Sequence, residues 1–441
     1  MTLTRVCGWG RSRPALSDLS VLDPDFVPAA IMSAGSRGIV GRGAGRSYGD
    51  AAQNSGGQLA QLPSGIALEH RTGIVRAAAG TSFEQLLQAC LPHGWTLPVL
   101  PGTRHLTVGG AVAADVHGKN HPRDGSLGRW LSELVVVDGT GSRLVLTPHD
   151  DRFWATVGGM GLTGLILSAT IRLLPVTSSW LHVRDTTAAS LDELIMQLDE
   201  AAAAERWAVA WVDGMARGAS LGRGIVSRAR ELPSELAPGG EPLSYPPASA
   251  TTAPKVPLSV IRPLTVRAFN AAWWRQPTAR GWTPVSLTSF FHPLDSIRDW
   301  NRLYGPRGFL QYQFVVPVGQ EPVLRRALVE VAASGGAPFL GVLKRFGEAG
   351  RAPLSFPRPG WSLAVDLPQT RGLAGVLDRL DEHVAAAGGA VYLAKDARLR
   401  PDLLAAMYPK LGAWRTVQAR MDPQGRMQSD LDRRLGVVVR A

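Results

Sequence analysis

The sequence predicts an α+β fold in two lobes, and three observations carry that prediction. The chain has 441 residues, too many for one ordinary domain and suited to two or three. From Ser36 to Val176 short apolar runs alternate with glycine-rich turns, the pattern of strands joined by tight loops. From near Thr177 helical and strand periods resume around a stretch, 229–257, filled with Pro, Ser, Gly and Ala. Hydrophobic residues make up 45% and charged residues 19%, which is ample material for buried cores.

In the first lobe Gly38–Val40, Ile74–Ala78, Leu134–Asp138, Leu144–Leu146 and Leu165–Leu173 read as strands, by alternation or by β-branched content. Ser82–Cys90 reads as a helix, with Ser82 as cap and Phe83, Leu86, Leu87 and Cys90 on one face. In the second lobe Leu191–Arg206, Glu321–Ser334 and Gly372–Ala387 read as helices. Trp207–Asp213, Phe309–Val316, Gly341–Phe346, Ser362–Asp366 and Ala390–Leu393 read as strands. The stretch 229–257 reads as a mobile loop or lid.

Composition excludes several classes. Only two cysteines occur, Cys7 and Cys90, without a Cys/His cluster, so neither a disulfide scaffold nor a metal site is expected. The net charge of +11 suggests an anionic partner. The basic residues are scattered and not interleaved with aromatics, so the reading is an anionic substrate or a membrane surface and no nucleic acid. Met1–Trp9 holds no apolar core before a small-residue cleavage site, and no run approaches the roughly 20 apolar residues of a membrane span. The expectation is a protein that is soluble or peripherally attached.

Three glycine-rich runs carry the chemistry. Gly41-Arg42-Gly43-Ala44-Gly45-Arg46-Ser47-Tyr48-Gly49-Asp50 follows a predicted strand. Its spaced glycines can expose successive backbone N–H groups as a nest for phosphate oxygens, with Arg46 and Ser47 as further donors. Alone it reads equally as a tight surface turn. The run Pro101–Asn120 adds small residues, hydroxyls and a terminal His117-Gly118-Lys119-Asn120. Its small residues let a flat cofactor lie on the backbone, and its threonines can bond a pyrophosphate. A third run, Gly158-Gly159-Met160-Gly161-Leu162-Thr163-Gly164, precedes a strand. None has the context of a Rossmann fingerprint, which should open a helix and be followed by an acidic residue about 20 positions on.

Together these runs resemble the vanillyl-alcohol-oxidase-type FAD-binding family, and within it the decaprenylphosphoryl-ribose 2-oxidases. The likeness is carried by Gly43–Asp50, Pro101–Gly125, Phe153–Thr170, Gln311–Phe314, Pro353–Asp366, Tyr392–Arg398 and Met407–Leu411, in order along nearly the whole chain. It implies a two-domain PCMH-type FAD fold, with a substrate domain built on an antiparallel sheet flanked by helices. The implied division is an FAD-binding domain at 1–176, a substrate domain at 177–389 and a segment at 390–441 that returns to the first. Covalent members of the wider fold join a histidine of the first glycine loop to the flavin. Arg46 stands in that place here, so non-covalent FAD is implied.

The resemblance implies cofactor contacts at Gly43, Ala44, Gly45, Arg46, Ser47, Tyr48, Gly102, Thr103, Thr107, Gly110, Ala113, His117, Ile166 and Tyr392. It implies chemistry at Lys395, His117, Lys119, Lys344 and Gln313, and a substrate pocket at Tyr48, Gln311, Phe346, Ser362 and Ala364. A partly independent case exists for the lysines. The chain has five, at 119, 255, 344, 395 and 410, and three fall in matched motifs or on a predicted site strand. Oxidising a secondary alcohol removes a hydride and a hydroxyl proton and leaves an anionic reduced flavin, which a nearby cation stabilises. Lys395 is the candidate for the flavin edge and the substrate hydroxyl, either as proton acceptor or as binder. Lys119 and Lys344 equally suit a substrate phosphate.

Plainer readings stand beside these. His117 alone reads as a structural histidine, and its motif context favours a site role. Lys344 in an apolar strand either faces the site or snorkels to solvent. Tyr48 and Phe346 also read as packing, and Trp273-Trp274 as core or lid anchoring rather than an acyl-chain groove. The family commonly reads Trp-Asn-x-Cys-Val-Asp where this chain has Trp361-Ser362-Leu363-Ala364-Val365-Asp366. Redox chemistry should survive that change, and covalent capture by cysteine-directed nitroaromatic inhibitors should fail. The implied reaction is oxidation of a polyprenylphosphoryl ribose at its 2-hydroxyl, completed by a separate NADH-dependent short-chain reductase. The cell-envelope membrane is its place by resemblance, in the cytoplasm or the periplasm. An oxygen-using aldonolactone or alditol oxidase, or a non-catalytic flavin or lipid-phosphate binder, are the alternatives.

Overall fold

The structure is a computed structural model that describes residues 3–245, 250–275 and 281–440. Two small sheets come first. Leu3–Val6, Ala15–Val21, Gln58–Gln61 and Ile39–Gly41 form a four-stranded sheet in that order, and Ile66–Glu69, Ile74–Ala78, Gly164–Arg172, Leu131–Asp138 and Arg143–Leu146 form a five-stranded antiparallel one. The helix Phe83–Cys90 packs on the second sheet, its Ser82 and Gln85 forming a reciprocal capping box.

The later chain builds an eight-stranded sheet in the order Thr283–Ser286, Trp180–Ala188, Gly224–Glu231, Trp207–Val212, Gly341–Phe346, Gly360–Pro368, Phe309–Pro317 and Ala390–Val391. Every neighbouring pair in it is antiparallel. Alternation gives this sheet two unlike faces. On the back, Phe314, Leu363, Leu343, Ala210 and Val226 lie opposite one another across five strands, all buried. Helices Leu191–Ala204, Glu321–Ala333 and Leu373–Ala386 cover that row with leucines at helical spacing, such as Leu191, Leu194 and Leu198. The front faces the glycine loops of the first lobe.

Two expectations are corrected, and two elements appear that the sequence did not announce. The glycine run at 101–120 is not all loop, because Thr107 caps a short helix, Val108–Ala113, accepting from the Gly110 N–H. Gly109 and Gly110 disfavour a helix by propensity, but burial of Val108, Ala111 and Val112 holds the turn. Trp180–Ala188, unrecognised because Arg184-Asp185-Thr186-Thr187 breaks its apolar alternation, is a full strand held by partners on both edges. The stretch 229–257 does not begin as loop: Ala229–Glu231 ends a paired strand, and Pro263–Trp274, unassigned from sequence, is a helix. Residues 246–249 of that stretch lie outside the described residues. Trp274 does anchor, donating its indole N–H to the Ala188 carbonyl, whereas Trp273 is exposed. No helix among the described residues is long and apolar enough to cross a membrane.

Candidate active site

The first glycine loop is held from both ends. Arg42 donates to the Ala52 and Cys7 carbonyls, Trp9 N–H to the Ser47 carbonyl and Tyr48 N–H to the Ala394 carbonyl. Two glycines allow the approach of other segments. A Cβ on Gly43 would stand 2.1 Å from Thr107 Oγ1, and one on Gly49 would stand 1.7 Å from the Asp396 carbonyl oxygen. Three remote parts of the chain, around 43, 107 and 395, thus meet.

Between these ties the backbone N–H groups of residues 43–47 have no protein acceptor among the described residues. Arg46 stacks its guanidinium 4.0 Å over the Trp9 ring and keeps its buried Nε without a partner. Burial lowers the pKa of this group, and Asp295 and Asp299 oppose the shift. Adjacent unpaired amides with an arginine suit a diphosphate. Gly110, exposed on the small-residue helix, offers a flat surface beside them. The residues present therefore fit FAD.

Not every expected contact has the same character. Thr103 donates its hydroxyl proton to Asp295 and accepts from the His105 N–H, so its side chain ties loop 101–106 to the second lobe. Gly102 is open, and a Cβ placed there would meet nothing within 4 Å. Ala113 is half-buried, and its carbonyl accepts from Met160 N–H. Ile166 is buried in the core under the five-stranded sheet. Tyr392 donates its hydroxyl to the Ala114 carbonyl at 2.8 Å, stacking on Phe356 at 4.7 Å.

The front of the large sheet gathers the polar side chains of the candidate site. Gln311 lies opposite Asp366, Gln313 opposite Ala364, and Ser362 opposite both Val315 and Lys344. All of these therefore share one face. Gln313 Nε2 donates to Ser362 Oγ at 3.2 Å and lies 3.1 Å from His117 Nε2. With the amide as donor, His117 accepts at Nε2 and carries its proton on Nδ1, a buried atom without a partner. Desolvation first, then Lys344, His121 and Lys395, push the His117 pKa well below its usual value, so the ring is neutral. Phe346 is fully buried against the His117 ring at 4.8 Å and the His121 ring at 4.7 Å, where it backs the histidines.

Three lysines complete the site. Lys395 places its ammonium 3.6 Å from the centre of the Tyr48 ring. Desolvation pulls its pKa down to about 7, with Asp366 opposing and Lys344 adding to the shift. Lys344, desolvated to about 8, has no ion pair or side-chain hydrogen bond among the described residues. Lys119 donates to the Phe290 carbonyl and sits 4.0 Å over the Phe290 ring; desolvation and then Lys344 bring it to about 7. Tyr48 is pushed well above the usual phenol range by burial and by Asp366.

Asp366 joins them, a residue that sequence reasoning does not single out. It is fully buried, accepts from Gln311 Nε2, leaves Oδ2 unpartnered and is raised by desolvation to about 7. Its signal is present in the chain, since it extends the Ser362–Ala364 alternation by one more inward position.

Residues 25–147 match the FAD binding domain model. Decaprenylphosphoryl-β-D-ribose oxidase of Mycolicibacterium smegmatis is 40% identical over 98% of this chain and 98% of its own length. An uncharacterised protein of Streptomyces coelicolor is 40% identical over 81% of this chain and all of its own. An alditol oxidase of a Streptomyces species is 27% identical, over only 29% of this chain and 30% of its own. A cradle suited to a diphosphate, a cationic sheet face before it and a likeness running the length of the chain lead to one family: the protein belongs to the decaprenylphosphoryl-β-D-ribose oxidases, FAD-dependent oxidoreductases.

Proposed function

We propose that the protein oxidises the 2-hydroxyl of decaprenylphosphoryl-β-D-ribofuranose, or a close polyprenylphosphoryl ribose, to the 2-keto form. The observation that carries this reading is the cluster of three desolvated lysines at one site, of which Lys344 has no protein counter-ion among the described residues. Such a field selects an anion, and a sugar carried on a phosphate is one. A free polyol would not need it. FAD, when bound without a covalent link, supplies the acceptor for the hydride that leaves the sugar carbon. The segments 43–48, Thr107 and Gly110 would hold it.

Lys395 takes the hydroxyl proton in this reading. With a pKa of about 7, much of it is a neutral amine at neutral pH, able to form an N–H bond as the substrate O–H bond breaks. Its position over Tyr48 fixes the direction of the amine. His117 stays neutral and donates from Nδ1, with Gln313 and Phe346 fixing the ring. Lys344 and Lys119 hold the phosphate, and Gln311, Ser362 and Ala364 line the sugar pocket. Residues 1–176 act as the cofactor domain, 177–389 as the substrate domain and 390–441 as the segment that carries Lys395 back to the cofactor. The keto product would pass to a separate NADH-dependent reductase, with the protein peripheral to the envelope membrane.

The test is anaerobic bleaching of the flavin absorbance on adding a polyprenylphosphoryl ribose. Bleaching in the wild type, lost in Lys395→Ala with FAD still bound, supports the reaction and the role. A yellow protein that stays oxidised removes the substrate. A protein that cannot take up FAD removes the reading altogether.

A further inference from the structure

The second lobe presents a surface that the site does not use. Residues 242–294 contain no Asp or Glu, but do contain Lys255, Arg262, Arg267, Arg275 and Arg280. Within this stretch the helix Pro263–Trp274 is buried against the protein mainly along one stripe. Val266 and Asn270 are its buried positions, Asn270 donating to Asp213 Oδ1 at 2.7 Å. Trp274 continues the spacing of four, donating its indole N–H to the Ala188 carbonyl.

Much of the rest of the helix faces water, although the Phe269 ring also rests against Phe339 at 5.2 Å. Leu264 is 79% exposed, and the Phe269 and Trp273 rings, also exposed, stack on each other at 6.0 Å. Leu258, 66% exposed, and Val260 extend the apolar surface just before the helix. Arg262, Arg267 and Arg275 are exposed among them, with no acid of the same stretch to neutralise them. Large apolar side chains gathered on one exposed face mark an interaction surface. Beneath the helix, Ile261 and Val266 pack with Trp300, Tyr304 and Phe309, the cluster on which Tyr48 rests. The face is thus one side-chain layer from the ring that carries Lys395.

We propose that this face docks on an anionic lipid bilayer, with Leu258, Leu264, Phe269 and Trp273 entering the headgroup region and the arginines meeting lipid phosphates. The chemistry is that of an interfacial helix: apolar and tryptophan side chains at the boundary, cations drawn to negative lipid, and no carboxylates to be repelled. Nothing in the proposal depends on the identity of the substrate, so it stands or falls apart from the reaction proposed above.

Co-sedimentation of the FAD-loaded protein with vesicles tests it. Vesicles of phosphatidylcholine with one third phosphatidylglycerol should pellet the wild type, and vesicles of phosphatidylcholine alone should bind it at least tenfold less. High salt should weaken the binding. Leu264→Glu and, separately, the pair Arg267→Glu with Arg275→Glu should each lower binding at least tenfold while flavin absorbance and melting temperature stay unchanged. Wild type left in the supernatant with both vesicles overturns the proposal, as does Leu264→Glu pelleting like wild type. Self-association that Leu264→Glu abolishes, without vesicle binding, assigns the face to a second copy and also overturns it.

Discussion

The two faces of the eight-stranded sheet are made by alternate residues of the same strands, yet they obey opposite rules. On the back, Phe314, Leu363 and Leu343 are buried among helices, where packing decides their contribution. On the front, their neighbours Gln313, Ser362 and Lys344 are withdrawn from water without the apolar partners that would offset burial. The back therefore provides stability, and the front holds charged groups in a state that their own solvation opposes. Pleating makes this division possible, because a substitution on one face leaves the other face's side chains in place.

Substitutions on each face sharpen or break that comparison. Lys395→Ala should slow substrate-driven flavin reduction by about a thousandfold, within the range for loss of a positioned acid or base, with melting temperature nearly unchanged; stopped-flow absorbance measures the first and thermal melting the second. Phe314→Ala should do the reverse, costing ~3–5 kcal/mol of stability in denaturant titration while the folded fraction reduces its flavin at the usual rate. A comparable loss of rate in Phe314→Ala would mean that the two faces are coupled.

The pH dependence of flavin reduction gives a subtler effect with a sign. If the neutral Lys395 amine accepts the proton, the rate rises with pH through about 7 and then levels. Asp366 raises the Lys395 pKa and Lys344 lowers it. Asp366→Asn should therefore move the inflection to lower pH and Lys344→Met to higher pH. Movement in one common direction would contradict the charge arrangement described. The smallest effect is expected for Ala364→Cys, which should leave the rate within a few-fold. It should also permit an adduct with cysteine-directed nitroaromatic compounds, visible by intact mass and absent in the wild type.

Much of the fold is legible where one face of an element is apolar. The strands Ile74–Ala78 and Gly341–Phe346 and the helix Phe83–Cys90 run where alternation and capping place them. Trp180–Ala188 is not legible, because its middle is polar and its place is set by pairing with 224–231 and 283–286. The pair Leu3–Val6 and Ala15–Val21 likewise escapes notice, since the first is short and mostly exposed and the second buries Ser17 while exposing Leu16 and Val21. For the site, the glycine loops and lysines stand out as residue types in rare company. Asp366 shows only as one more inward position of its strand's alternation, and Asp295 not at all, since a lone aspartate in sequence gives no sign of what it will face. Gln311 orients the first, and Thr103 with Arg104 N–H gathers round the second.

The contact between Gly49 and Asp396, and the Tyr48 N–H bond to Ala394, join the first glycine loop to a segment almost 350 residues later. On a ribosome the loop therefore emerges long before the piece that shapes it. Nascent chains released short of residue 396 should carry the whole nucleotide cradle in sequence and still lack its closing tie. A cradle closed by these contacts is then completed only after the segment around residues 394–396 has been made.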